Sequence, residues 1–147
     1  MVKSSKLIIE LIGRLRPVMN FGSIDSADTY TIGQLSAHLG VSLRTLRFYE
    51  QSGLLAPNRE GLRRLYSRDD LDRLQIIVTL RELEVSLTAI KSLMAAIDSE
   101  GRTSEREVMV RTDSVLADLA GDNLARIDEL KRINDRIARA RDNLALA

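Results

Sequence analysis

Apolar residues recur every three or four positions at Leu7, Ile8, Leu11, Ile12, Leu15, Val18 and Met19, which predicts a short amphipathic helix over residues 4–19 with Ser4 or Ser5 as its cap. Glu10 interrupts the run and no small-residue cleavage site follows, so the segment is expected to dock on its own protein rather than serve as a signal peptide. The string FGSIDSAD from Phe21 to Asp28 is polar and contains glycine, and reads as a linker. From Tyr30 the pattern changes. Thr31 can cap a helix carrying Ile32, Leu35 and Leu39, Gly40 supplies the left-handed turn that stops it, and Val41 plugs the corner. Ser42 can cap a second helix that turns Leu43 and Leu46 inward and ends at Gly53. Two short helices on one glycine turn predict a helix-turn-helix. Between Leu55 and Tyr66, LAPNREGLRRLY combines a proline, a turn-forming NREG and alternating basic and apolar residues, which predicts a small β-hairpin, or wing.

Ser67 with Asp70 three residues on forms a capping box for a helix with Leu71, Leu74, Ile77, Val78 and Leu80 on one side, ending near Val85. Ser86 or Leu87 opens another, with Ile90, Leu93, Met94 and Ile97 as its apolar face and Gly101 closing it. From Ser104 onward there is no proline and Gly121 is the only glycine, so one long helix is expected. Leu116, Ala120, Leu124, Ile127, Leu130, Ile133, Ile137, Ala140 and Leu144 follow one another at a mean spacing near 3.5, the coiled-coil period. A helix of that length would extend about 60 Å. Its stripe needs a partner: a second copy, or its own chain folded back as a bundle. The expected organisation is an N-terminal helix and linker over residues 1–29, a DNA-binding head over 30–98 and a dimerisation helix over 99–147.

Composition narrows the chemistry. The 147 residues contain no cysteine and one histidine, His38, which excludes disulfides, thiolate metal sensing, cysteine nucleophiles and a conventional transition-metal site. Asp69 and Asp70 sit in the first turn of a helix, where capping and dipole account for them. There is no Ser, His and Asp set and no phosphate loop, so no enzyme is expected and no cofactor. No apolar run approaches the roughly 18 residues of a membrane span. The net charge of +1 is uninformative, but its distribution is not: residues 40–68 hold six arginines against Glu50 and Glu60, while residues 69–86 are net acidic. A compact basic segment between neutral or acidic ones suits a single DNA-contacting face, or a solvated arginine face.

The segment YTIGQLSAHLGVSLRTLRFYEQSGLL, followed by P-x-R, RLYS and DDLDRLQII, resembles the MerR family of bacterial transcription regulators over about residues 30–98. A recognition helix presents its N-terminal residues to base edges in the major groove, and Ser42, Arg44, Thr45 and Arg47 occupy that end. Arginine can fork to guanine, and threonine can meet a thymine methyl or a phosphate. The resemblance implies DNA contact for Arg44, Thr45, Arg47 and Tyr49, with a salt bridge from Arg47 to Glu50 or Glu82 as the alternative. Arg64 and Tyr66 match the family's R-x-Y, and Arg63 is a weaker candidate. Leu62 and Arg63 both stand between Gly61 and Arg64, one residue more than relatives commonly have. Tyr66 could equally pack at the base of the wing.

The resemblance implies a mainly α protein: a winged helix-turn-helix head with a small β-hairpin wing, and a long C-terminal helix pairing as an antiparallel coiled coil. Leu116, Leu124, Ile127, Leu130, Ile133, Ile137 and Leu144 would form the dimer contact. It also implies a cytoplasmic homodimer on a pseudo-palindromic promoter element of double-stranded DNA, working with RNA polymerase by distorting the spacer; activation and repression both remain open. Rival readings are an architectural or recombination accessory protein that bends DNA, and a protein-interaction adaptor whose basic segment is only solvated.

Overall fold

The computed structural model describes residues 2–18, 21, 24, 29–61, 63–99 and 103–145. The chain forms two compact units, Met1–Val110 and Arg111–Ala147. The first contains α1 (Val2–Leu15), a 3-10 turn (Arg16–Val18), β1 (Thr29–Tyr30), α2 (Ile32–Leu39), α3 (Leu43–Gln51), β2 (Asn58–Glu60), β3 (Arg63–Ser67), α4 (Arg68–Glu82) and α5 (Leu87–Asp98). The long helix α6 (Glu105–Ala145) begins in it and supplies the second unit. The fold is mainly helical, a winged helix-turn-helix with a long C-terminal helix, as the sequence pattern predicts. Met19, most of the linker and Gly101 lie outside the described residues.

Local chemistry accounts for the helix ends. Thr31 and Ser67 each close a reciprocal capping box, with Gln34 and Asp70 respectively, so two orphan N–H groups are satisfied at each start. Ser104 does the same for α6: its Oγ accepts from Glu107 N at 3.2 Å while its own N–H donates to the Glu107 carboxylate at 3.1 Å. At the end of α3, Gly53 takes φ +77 and Leu54 N–H returns to Tyr49 O at 3.0 Å, the left-handed exit that glycine allows without strain. The turn between α2 and α3 is closed by Gly40 at φ +67 and by the Ser36 hydroxyl donating to Val41 O at 2.6 Å.

The sheet has three strands in the order β1-β3-β2, all neighbours antiparallel. Glu60 pairs with Arg63, and Gly61 takes φ +60 as the chain leaves β2. Leu62 lies outside the described residues, and Arg63 and Arg64 are both paired within β3. The sequence pattern missed β1: Thr29 and Tyr30, expected to lie at the edge of a linker, pair with Ser67 and Tyr66. Two residues carry no alternation to detect, and only the partner strand makes them a strand.

Leu35, Leu46, Tyr66, Leu71, Leu74, Ile77 and Ile90 are fully buried and form the centre of the first unit, which Val108 at the start of α6 helps close. α1 belongs to this unit. Its Leu7, Ile8, Leu11, Ile12 and Leu15 are buried as it packs on α4 and, to a lesser extent, α5. α4 is consequently buried on both sides, including Asp72, Gln75, Ile76 and Thr79, beyond the one apolar side that the sequence pattern marks.

Burial of Asp72 has a measurable consequence. Arg68 Nε stands 3.3 Å from its carboxylate, yet desolvation outweighs that attraction and raises the Asp72 pKa above the ordinary carboxylate value. A carboxyl whose pKa is raised on folding contributes stability that is complete below its unfolded pKa and is lost as pH rises through the folded value. Asp72→Asn should therefore gain stability relative to wild type as pH rises from the ordinary carboxylate range through the raised folded-state value, a window read by chemical denaturation. A wild-type-minus-variant difference that stays flat over that window would overturn the assignment.

Candidate nucleic-acid interface

Helix α3 has one buried side and one open side. Leu46 and Tyr49 point into the core, while Arg44, Arg47, Phe48 and Gln51 lie on the open face. At its start Ser42 adopts extended backbone and its Oγ accepts the Thr45 N–H at 3.0 Å. The two hydroxyls are 2.8 Å apart, so Thr45 is tied to the cap and only half-buried. Arg44 and Arg47 form no ion pair among the described residues, and both guanidiniums are free for a ligand. The alternative of a bridge from Arg47 to Glu50 is not realised, because Glu50 is engaged elsewhere.

That engagement joins the helix to the hairpin. The Tyr66 hydroxyl donates to Glu50 Oε1, and Arg64 Nε pairs with Glu50 Oε2 at 3.1 Å. Tyr66 is 0% exposed, and burial together with the neighbouring Glu50 carboxylate raises its pKa. It is the packing residue at the base of the wing, not an exposed contact. Arg64 is part-exposed and held at the junction of α3 and β3. Arg63, on the same strand, is exposed and forms no ion pair among the described residues, which makes it the freer wing cation of the two.

Two further expectations need correction. Tyr49 is only 4% exposed; burial raises its pKa against the opposing influence of nearby Arg81, so its ring supports α3 from inside. Leu43, expected to face inward, is 41% exposed, because the first residue of a nine-residue helix overhangs the turn instead of entering the core. Conversely, the sequence argument passed over Phe48. It reads as one more aromatic for a core poor in them, yet it is 48% exposed on the face shared with the arginines. Its position one turn beyond Arg44 was the available signal.

His38 is a structural residue. Its Nε2 lies 3.2 Å from the Gln75 amide nitrogen, its ring centroid is 6.0 Å from that of Phe21, and burial, with Arg68 and Arg16 nearby, lowers its pKa. It is half-buried, within the last turn of α2. Among the described residues, no group of three or more His, Asp or Glu is placed to hold a metal ion, and no helix is long and apolar enough to cross a membrane.

Residues 30–97 match the family described as MerR HTH family regulatory protein. The chain is 32% identical over 113 residues to the HTH-type transcriptional regulator ZntR homolog of Haemophilus influenzae, covering 76% of this chain and 80% of that protein. It is 39% identical over 82 residues to the nodulation protein NolA of Bradyrhizobium sp. (strain NC92), but spans only 32% of that longer protein. Among solved structures, HiNmlR, a MerR family regulator lacking the sensor domain and bound to promoter DNA, is similar with a TM-score of 0.53 and 29% identity, over 73% of this chain and 79% of that one.

Proposed function

The chain belongs to the MerR family of helix-turn-helix regulatory proteins, and from that premise we propose that it works as a homodimer on a pseudo-palindromic promoter element. The long helices join two copies as an antiparallel coiled coil, and the two heads read the two half-sites. The dimer then acts on transcription by RNA polymerase through distortion of the DNA between them, an energy set by the deformability of bases it need not touch. The observation that carries this reading is the open face of α3, where Arg44 and Arg47 stand unpaired beside a capped helix start, with the wing arginines on the adjoining strand. A similar regulator has been solved on promoter DNA.

Within this reading Ser42, Arg44, Thr45 and Arg47 meet bases and phosphates in the major groove, and Arg63 and Arg64 approach the flanking backbone. Tyr49 and Tyr66 serve from beneath, by holding α3 and β3 in place. Glu50 couples the two reading elements, because from the recognition helix it bonds both Tyr66 and Arg64.

The test is selection of a preferred site from randomised duplexes with the full chain, followed by footprinting. An inverted repeat should emerge. Arg44→Ala and Arg47→Ala should each weaken binding to it and relax preference by about 1–3 kcal/mol at one base pair. Arg63→Ala should weaken all sequences alike and reduce the salt slope by roughly one. Arg64→Ala should do the same while also lowering the melting temperature, since it leaves the largely buried Glu50 carboxylate short of a partner. Unchanged affinity in all four variants, or selection of no sequence at all, overturns the proposal.

A further inference from the structure

The open face of α3 presents an aromatic ring that neither the core nor any charge requirement explains. At ~100° per residue, Phe48 lies about 40° around the helix from Arg44, with Arg47 on Arg44's other flank. Leu46 and Tyr49 point the opposite way and already fill the interior. The ring of Phe48 meets that of Tyr49 only obliquely, with centroids 6.1 Å apart, and 48% of the residue stays in solvent. A large apolar side chain beside the Arg44 guanidinium, on the surface that the preceding reading gives to DNA, needs an apolar group on the DNA. The major groove offers one on its base edges: the 5-methyl of thymine.

We infer that Phe48 is a specificity residue that packs on a thymine methyl in each half-site, next to the base pair met by Arg44. This rests on the DNA-binding reading above. It divides the labour on one helix face: guanidiniums fork to a guanine by hydrogen bonds, while Phe48 selects the neighbouring pair by removing one methyl from water. Since the methyl lies on one base of an A·T pair, the contact also distinguishes T·A from A·T, which a contact to sugar or phosphate cannot do.

The test uses the full chain and the duplex selected in the preceding experiment, with each thymine replaced in turn by deoxyuracil, symmetrically in both half-sites. The replacement removes the methyl and leaves every hydrogen-bonding group intact. At one position per half-site, binding should weaken about fourfold for each methyl lost, the effect of burying one such group. Phe48→Ala should bind the thymine and uracil duplexes equally, and Phe48→Leu should retain part of the discrimination. The exposed position allows both variants to fold, and unchanged melting verifies this. Uracil tolerated at every position by wild type, or a Phe48→Ala protein that still discriminates, overturns the inference while leaving the DNA-binding reading standing. Phe48→Ala that loses affinity equally for all duplexes assigns the ring to the backbone and also overturns it. A chain that binds no duplex overturns both.

Discussion

Ile127→Glu combined with Ile137→Glu should give a monomer in sedimentation, one that loses specific DNA binding and keeps only weak, salt-sensitive binding. The second unit is a single helix, with Leu124, Ile127, Leu130, Ile133, Ile137 and Leu144 exposed by 39–78%. Such a stripe exceeds what a monomeric surface ordinarily leaves in water. Full burial would be worth roughly 1.5–3 kcal/mol for each side chain, before the cost of association. Two carboxylates placed in the seam must either be desolvated or hold the helices apart, and they oppose the association from both copies at once. Specificity falls with the dimer because one head presents a nine-residue recognition helix and a short hairpin, whereas two linked heads gain effective concentration at a second half-site. Leu116 is half-buried and so would contribute less to such a seam than the regular spacing suggests. The charged pair is a cleaner test than truncation after Asp98, which would also remove Val108 from the core of the first unit. A dimeric double variant, or a monomer with undiminished specificity, would move the contact elsewhere.

Leu11→Ala should destabilise the first unit by ~2–5 kcal/mol, the usual effect of emptying a leucine site in a packed interior. Leu11 is 2% exposed in the middle of α1, between Leu7 and Ile8 on one side and Leu15 on the other. Deletion of residues 1–24 should go further and lower solubility, because it uncovers Ile76 and the partners of Ile12 and Leu15 on α4. Equilibrium unfolding and sedimentation measure both. A truncated chain with unchanged melting, solubility and DNA affinity would assign α1 to a different partner.

Much of the fold and of the candidate interface was legible because it rests on short-range rules. Caps announce themselves: Thr31, Ser42, Ser67 and Ser104 each stand three residues before the group that they satisfy. Gly40 and Gly53 mark left-handed exits that other residues adopt only with strain, and the stripe on α6 repeats over enough turns to set its period. Arg44 and Arg47 follow from the same logic, since a capped helix of known phase determines which positions are open.

What the chain order could not disclose depends on contacts between distant segments. Asp72, Gln75 and Thr79 are polar and carry no sign of burial in the local pattern, yet they are dry because α1, some 60 residues earlier in the chain, lies across them. Thr79 meets its own hydrogen-bonding need by donating to Gln75 O at 2.7 Å, and Asp72 turns to Arg68, so a polar face can be covered at tolerable cost. Tyr49, Phe48 and Tyr66 show the same limit. All three are aromatic residues in or beside basic segments, and composition cannot say which ring the core will take. Glu50 decided part of it: by accepting the Tyr66 hydroxyl and pairing with Arg64, it drew the wing tyrosine inward and left Arg47 free. The sequence by itself determined the capped starts of α2, α3, α4 and α5 and the arginine-bearing face, because those depend on neighbours within one turn; it missed the start of α1, which begins at Val2 with Ser4 and Ser5 inside the helix. Only the tertiary structure decided which aromatic ring is buried and which cation is paired, because burial and ion pairing belong to residues that meet only once the chain has folded.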